Sequence, residues 1–152
     1  MNYIYMKKKK EPTKKPTKLL TNELVGIGRS QAEELCIALL RINFPKIKIE
    51  RNDKSVLGRQ EIDIHLVDYK IAIEIDGITH SRPIFGAVRF AESQERDKRK
   101  EEKLQELGYT LYRIDIGPIE KENMFAFLKN YMNTKLIPEL KEVITSKPLT
   151  KL

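Results

Sequence analysis

Two segments of this chain carry acids at the spacing of a strand: Glu61-Ile62-Asp63-Ile64-His65-Leu66 and Ile71-Ala72-Ile73-Glu74-Ile75-Asp76. Successive strand residues point to opposite faces. Glu61, Asp63 and His65 therefore share one face, opposite Ile62, Ile64 and Leu66. In the second segment Ala72, Glu74 and Asp76 share a face opposite Ile71, Ile73 and Ile75. Val67-Asp68-Tyr69-Lys70 between them is short enough for a tight hairpin. A symmetric connection through Asp68 and Tyr69 sets Asp63 opposite Glu74 and Glu61 opposite Asp76, with Cβ atoms about 5 Å apart. Carboxylates crowded in this way repel, and protons, a basic neighbour or a divalent cation must compensate. Mg²⁺ takes oxygen ligands, commonly one or two carboxylates, and keeps positions open for water and phosphate. Such an ion polarises a phosphate and generates a hydroxide nucleophile. The same alternation also fits a solvated sheet face flanked by lysines such as Lys70. A one-residue slip in register would separate the acids altogether.

The elements that must hold this hairpin follow from periodicity and punctuation. Ser30-Gln31-Ala32-Glu33 after Gly26-Ile27-Gly28 reads as a capping box. The helix it opens carries Leu35, Cys36, Leu39 and Leu40 and ends near Asn43, because Pro45 disfavours helix just before it. Ile47 to Arg51 alternates like a half-buried strand, and a polar loop from Asn52 to Gly58 leads into the hairpin. Gly77 ends the second hairpin strand, and a loop through Pro83 and Gly86 follows. Val88 to Leu107 has helical spacing and Gly108 supplies a stop. Tyr109 to Ile114 is a further strand broken by Gly117-Pro118. Met124, Phe125, Phe127, Leu128, Tyr131 and Met132 outline an amphipathic helix, and Ile137 to Val143 a last one. The order predicts a small mixed sheet with helical cover.

Composition narrows the setting. A 152-residue chain that is 40% hydrophobic has enough apolar residues for the core of one domain. No apolar run approaches the ~18–20 residues of a membrane span, and Met1 to Met6 is too short for a signal-peptide core. The single cysteine, Cys36, excludes an internal disulfide or a multi-cysteine zinc site and reads as a small buried group. A cytoplasmic, reducing compartment is the expectation. Residues 1–18 hold seven lysines against Glu11, which is six of the seven net positive charges of the chain. With Pro12 and Pro16 among the lysines, this segment is expected to be a disordered basic tail. It is either a solubilising tail or an arm that lays Lys7, Lys8, Lys9 and Lys10 on phosphates. The remainder is nearly neutral, so its charge alone argues nothing about nucleic acid.

The stretch Arg59-Gln60-Glu61-Ile62-Asp63, then Ile73-Glu74-Ile75-Asp76-Gly77-Ile78-Thr79-His80, then Glu95-Arg96-Asp97-Lys98-Arg99-Lys100 and Leu107-Gly108-Tyr109-Thr110-Leu111-Tyr112-Arg113-Ile114 resembles the very-short-patch-repair endonucleases. It resembles still more the phage-type homing endonucleases with a Glu, Asp, X, His, Asp signature, within the PD-(D/E)XK nuclease superfamily. With the Ser30-x-x-Glu33 helix, the likeness spans roughly residues 28 to 116. It implies an α/β (α+β) fold with a restriction-endonuclease-like mixed sheet flanked by helices. On this likeness residues 1–18 are the tail, 19–118 the endonuclease core and 119–152 a C-terminal helical extension. The resemblance makes Asp63 the principal metal-binding aspartate and Glu74 the second ligand for Mg²⁺ or Mn²⁺. His80 would activate water or protonate the leaving oxygen. Glu33, Asp97 and Lys100 would complete the site, Lys100 on the same helix face as Asp97. Asp76 stands where the namesake pattern has lysine. This departure shifts the charged role to His80 and leaves open whether Asp76 also binds metal.

The implied activity is hydrolysis of a DNA phosphodiester by a homing- or restriction-type enzyme, with a homodimer as one route to double-strand cleavage. Arg96 and Arg99 add weak phosphate contacts, because acids are interspersed with them. Two alternatives remain at this stage, a mismatch-directed nicking repair endonuclease and a catalytically inactive nucleic-acid-binding protein of the same fold. Each site residue also has a structural reading. Glu33 could serve only the cap, His80 only a loop, Asp97 only a solvated charge run, and His65 reads as a sheet histidine paired with a carboxylate.

Overall fold

The computed structural model describes residues 28–147. The basic tail and its Lys7, Lys8, Lys9 and Lys10 contacts lie outside the described residues. Helix α1 spans Gly28–Asn43, followed by strands β1 (Ile49–Asp53), β2 (Ile62–Leu66) and β3 (Ile71–Asp76). A short helix α2 (Ile78–Ser81) and a long helix α3 (Ala87–Glu106) lead to β4 (Thr110–Asp115). Helix α4 (Met124–Tyr131), a π segment over Met132–Leu136 and helix α5 (Ile137–Ser146) close the described chain. This is the expected order of elements, except that the short helix α2 stands where only a loop was expected. The π segment precedes Pro138, whose ring would collide with the carbonyl of Thr134 in a regular turn.

The strands form one four-stranded sheet in the order β1-β2-β3-β4. The first two pairings are antiparallel and β3–β4 is parallel, so the sheet is mixed. A parallel pair needs a long crossover, and α2 and α3 supply it. The end of α3 is set by Gly108 at φ +81, where Gly108 N–H donates to the Gln105 carbonyl and Tyr109 N–H to that of Leu104.

Both faces of the sheet are covered. Ile64, Leu66, Ile71, Ile73 and Ile75 pack with Ala32, Cys36 and Leu40 of α1 and with Leu128, Met132 and Leu140 from the C-terminal helices. Those helices therefore share the main core. On the other face Ile62, Ala72 and Leu104 of α3 form a smaller cluster with Leu57. Every residue of β2 is buried, as is every residue of β3 except half-buried Asp76. The acid-bearing face is thus roofed by α3 and is not a solvated surface.

Three local expectations need correction. Helix α1 is already under way at Ser30, so Ser30 is not an N-cap. Its hydroxyl accepts from Arg51 Nη2 at 2.9 Å, and Glu33 is bound by the same guanidinium. Ile62 packs with Ala72 on the α3 face, whereas alternation placed it with Ile64. The alternation breaks at Asp63, which sits between two residues of β2 that face opposite ways. Across from it, between the pairs Arg51–Ile64 and Asp53–Ile62, Asn52 takes the left-handed conformation at φ 50. Finally, Glu61 precedes β2 and stands outside the strand, so the expected pairing with Asp76 is not part of the ladder.

Candidate active site

The hairpin register is the one its connection implies: Leu66 pairs with Ile71, His65 with Ala72 and Ile64 with Ile73. Continued two steps, Ile75 would pair with Ile62 and its N–H would meet a peptide carbonyl. Instead, the Ile75 N–H donates to Asp63 Oδ2 at 2.9 Å, and the Asp63 N–H donates to Glu74 Oε1 at 3.3 Å. The two strands part here, and their carboxylates fill the gap. This wedge explains why β2 loses its alternation at the same residue.

Both acids are buried, and Lys100 of α3 comes down on them with Nζ 2.6 Å from Glu74 Oε2. Burial first, then the charge of Asp63, push the Glu74 carboxyl up to about 7 against the opposing pull of Lys100. Lys100 thus meets the two crowded carboxylates through Glu74, the one whose charge burial disfavours.

One helical turn earlier on α3, Asp97 Oδ2 lies 2.7 Å from His80 Nδ1. Burial disfavours the Asp97 charge, but the hydrogen bond and charge of His80, backed by Arg113 and Lys100, hold its carboxyl below the usual range. An ionised Asp97 fixes the imidazole proton on Nδ1 and leaves the basic lone pair on Nε2. His80 rides on α2, whose N-cap is Gly77, and Gln94 of α3 donates to the His80 carbonyl at 2.7 Å. Asp97 and Lys100 are three residues apart, so α3 presents both to the sheet.

Arg113 of β4 joins the two groups. Its Nη1 donates to both oxygens of Asp76 at 3.1 Å, and Asp76 Oδ1 lies 3.8 Å from His80 Nδ1. Burial works against the guanidinium, while Asp76, Asp97 and Glu74 raise its pKa. Asp76 is thus held by Arg113, which bridges the charges of the two groups. Sequence reasoning missed Arg113. The signal was a lone arginine in an apolar strand that pairs in parallel with the acid-bearing β3, Glu74 opposite Arg113.

The remaining expected residues stand apart from this group or at its edge. Glu33 is buried on the α1 side, bound to Arg51 Nε at 3.0 Å and Nη2 at 2.9 Å. Arg51 pairs with Ile64 in the ladder, so it belongs to the sheet face opposite Lys100. Arg99 is exposed and engaged with Glu95 at 3.2 Å, while exposed Arg96 has its side chain on a groove beside α2. Cys36 is a core group, its thiol pushed up to about 12 by burial and then by the charge of Glu33. Gly117 was read only as a strand breaker. A Cβ there would come within 3.1 Å of the Ile78 Cα and 2.8 Å of Ser81 Oγ, so its bareness lets α2 dock.

Among the described residues no three His, Cys, Asp or Glu side chains are gathered as a ready metal cage. Asp63 and Glu74 nonetheless offer an all-oxygen donor pair at the parting of the two strands, which suits a hard cation that completes its shell with water and phosphate. Among the described residues no helix is long and apolar enough to cross a membrane. No protein-family model, no curated protein and no solved structure matches this chain.

Proposed function

We propose that this chain is a metal-dependent DNA endonuclease of the PD-(D/E)XK type, hydrolysing a phosphodiester bond. The observation that carries the proposal is the buried Asp63–Glu74–Lys100 wedge standing beside the Asp97-oriented His80 on one side of the sheet. Its support is chemical: paired carboxylate oxygens, a cation and a histidine held by an aspartate are the parts that phosphodiester hydrolysis needs.

Asp63 and Glu74 would hold Mg²⁺ or Mn²⁺, which when bound polarises the phosphate and lowers the pKa of a coordinated water. Lys100 holds Glu74 in place and offsets charge that develops on the phosphate. His80 moves a proton at Nε2 while Asp97 fixes the ring, and Arg113 supports the charge of Asp97 and holds Asp76 beside it. Glu33 acts through Arg51, tying α1 to β1 next to the bend at Asn52. One such site cuts one strand, so double-strand cleavage calls for a homodimer or two successive nicks.

Conversion of supercoiled plasmid in Mg²⁺ or Mn²⁺ tests the proposal. Asp63→Asn keeps an acceptor for the Ile75 N–H and removes the charge, so the variant should fold and cleave nothing above background. Cleavage by this variant at the wild-type rate would overturn the assignment. Binding of DNA without cleavage by the wild-type chain, in every divalent ion tried, would leave a nucleic-acid-binding protein.

A further inference from the structure

Helix α2, the loop after it and the first turns of α3 enclose a groove of about 410 Å³. Thr79, the neighbour of His80, stands on its wall, so the groove adjoins the candidate site. Ile84, Phe85 and Phe90 give it an apolar lining, and Phe85 is left 46% exposed. Open rings of this kind mark a place where something docks.

The same wall carries Arg82, Arg89 and Arg96, all exposed, against the single acid Glu92. None of the three guanidinium groups has an acid partner among the described residues. Unpaired guanidiniums suit phosphates, and exposed rings suit the flat face of a base. Inside a duplex both faces of a base are covered by its neighbours, so only an unpaired base can lie on Phe85. The volume falls at the low end of the roughly 300–1,000 Å³ typical of small-molecule pockets, enough for one nucleotide. A second copy of the chain fits less well. A two-fold contact brings a patch against itself, and here arginines would face arginines.

We propose that this groove holds one unpaired nucleotide of the DNA strand next to the cut, its base against Phe85 and Phe90 and its phosphates on Arg82, Arg89 and Arg96. The proposal rests on the nuclease reading and adds a substrate class to it: DNA with a single-stranded or unpaired nucleotide beside the scissile bond.

The test measures binding of the full chain, without divalent ion, to three DNAs of one sequence: a single strand, a perfect duplex and a duplex with one bulged base. Wild type should prefer the first and third. Phe85→Ala should weaken both by about tenfold and leave the perfect duplex unchanged. Arg89→Gln should weaken all three and reduce the salt slope by about one. Phe125→Ala, an exposed ring on α4, is the control and should change nothing. Equal affinity for all three DNAs, or a Phe85→Ala loss shared by the duplex, overturns the proposal. So does a light-scattering mass that Phe85→Ala halves, since the groove would then be a self-contact. Parallel plasmid cleavage separates the two claims. Phe85-dependent binding with no cleavage in any metal sinks the nuclease and keeps the groove; cleavage indifferent to Phe85→Ala and Arg89→Gln does the reverse.

Discussion

The chain has two histidines, and each sets its Nδ1 against an aspartate at nearly the same distance: His65 to Asp53 at 2.6 Å and His80 to Asp97 at 2.7 Å. The pairs differ in what surrounds them. The His65 side chain is 3% exposed, and its Nε2 lies 3.0 Å from the Tyr109 hydroxyl, so both ring nitrogens are engaged inside the protein. The His80 side chain is 23% exposed and lies near Asp76 as well as Asp97, with Arg113 bound to that Asp76. An Asp–His pair is thus no mark of catalysis by itself. Solvent access and charged neighbours separate a group that can exchange a proton with a substrate from one that ties strands together.

Removing each histidine should break the comparison cleanly. His80→Ala is expected to lower plasmid cleavage by roughly 10²–10⁴, the usual worth of a positioned acid or base. Its chemical denaturation midpoint should move little, because the side chain is partly exposed at the protein edge. His65→Ala should do the opposite. It leaves the Asp53 carboxylate and Tyr109 hydroxyl without their shared partner and opens a cavity, for a loss of about 2–4 kcal/mol in a urea melt. The activity that survives per folded molecule should stay within a few fold of wild type. A stable, inactive His65→Ala protein would reverse the roles given to the two pairs.

Much of this contrast was legible in the residues, and some could not be. The register of β2 on β3 followed from the short, symmetric connection through Asp68 and Tyr69, and Gly108 marked the end of α3. His65 read correctly as a sheet histidine with a carboxylate partner, although the partner proved to be Asp53 on a different strand. The swing of Asp63 into the gap between strands was hidden. It coincides with a left-handed Asn52 on the neighbouring β1, which the alternation of neither strand showed. The Ser30–Glu33 motif is locally identical to a capping box, yet Arg51, distant in sequence, claims both side chains. Arg113 reaches the site only because the α2–α3 crossover brings β4 alongside β3 in parallel, and no hairpin-scale pattern encodes that pairing.

Gly117 offers a milder way to sharpen the comparison. Ala at this position pushes against the Cα of Ile78, at the start of α2, and none of the three atoms nearest its Cβ belongs to the strand of His65. Displacing α2 by a few tenths of an ångström should misalign His80 and lower cleavage roughly tenfold, since small misplacements of reacting groups are expensive. The melt should shift by less than about 1.5 kcal/mol. If Gly117→Ala instead weakens stability and leaves cleavage unchanged, α2 does not set the His80 position.

The smallest expected effect lies in acid. Burial works against the Asp53 charge, yet the hydrogen bonds of Ser55 and His65, and then the charge of His65, hold its carboxyl down to about 2, below an ordinary value of 3.8. Between those two values the folded protein binds fewer protons than the unfolded chain, so stability rises with pH there. The contribution is complete above the ordinary value and is lost as pH falls through about 2. Asp53→Asn removes the group from both states and should make the acid limb of the stability curve shallower between roughly pH 4 and 2. Asp97 is also held low by its histidine, but it is a separate group, so its share of the slope should survive in this variant. An acid limb identical to wild type would mean that Asp53 is no more acidic folded than unfolded, and that the buried pair is joined by proximity without the charge that the geometry assigns to it.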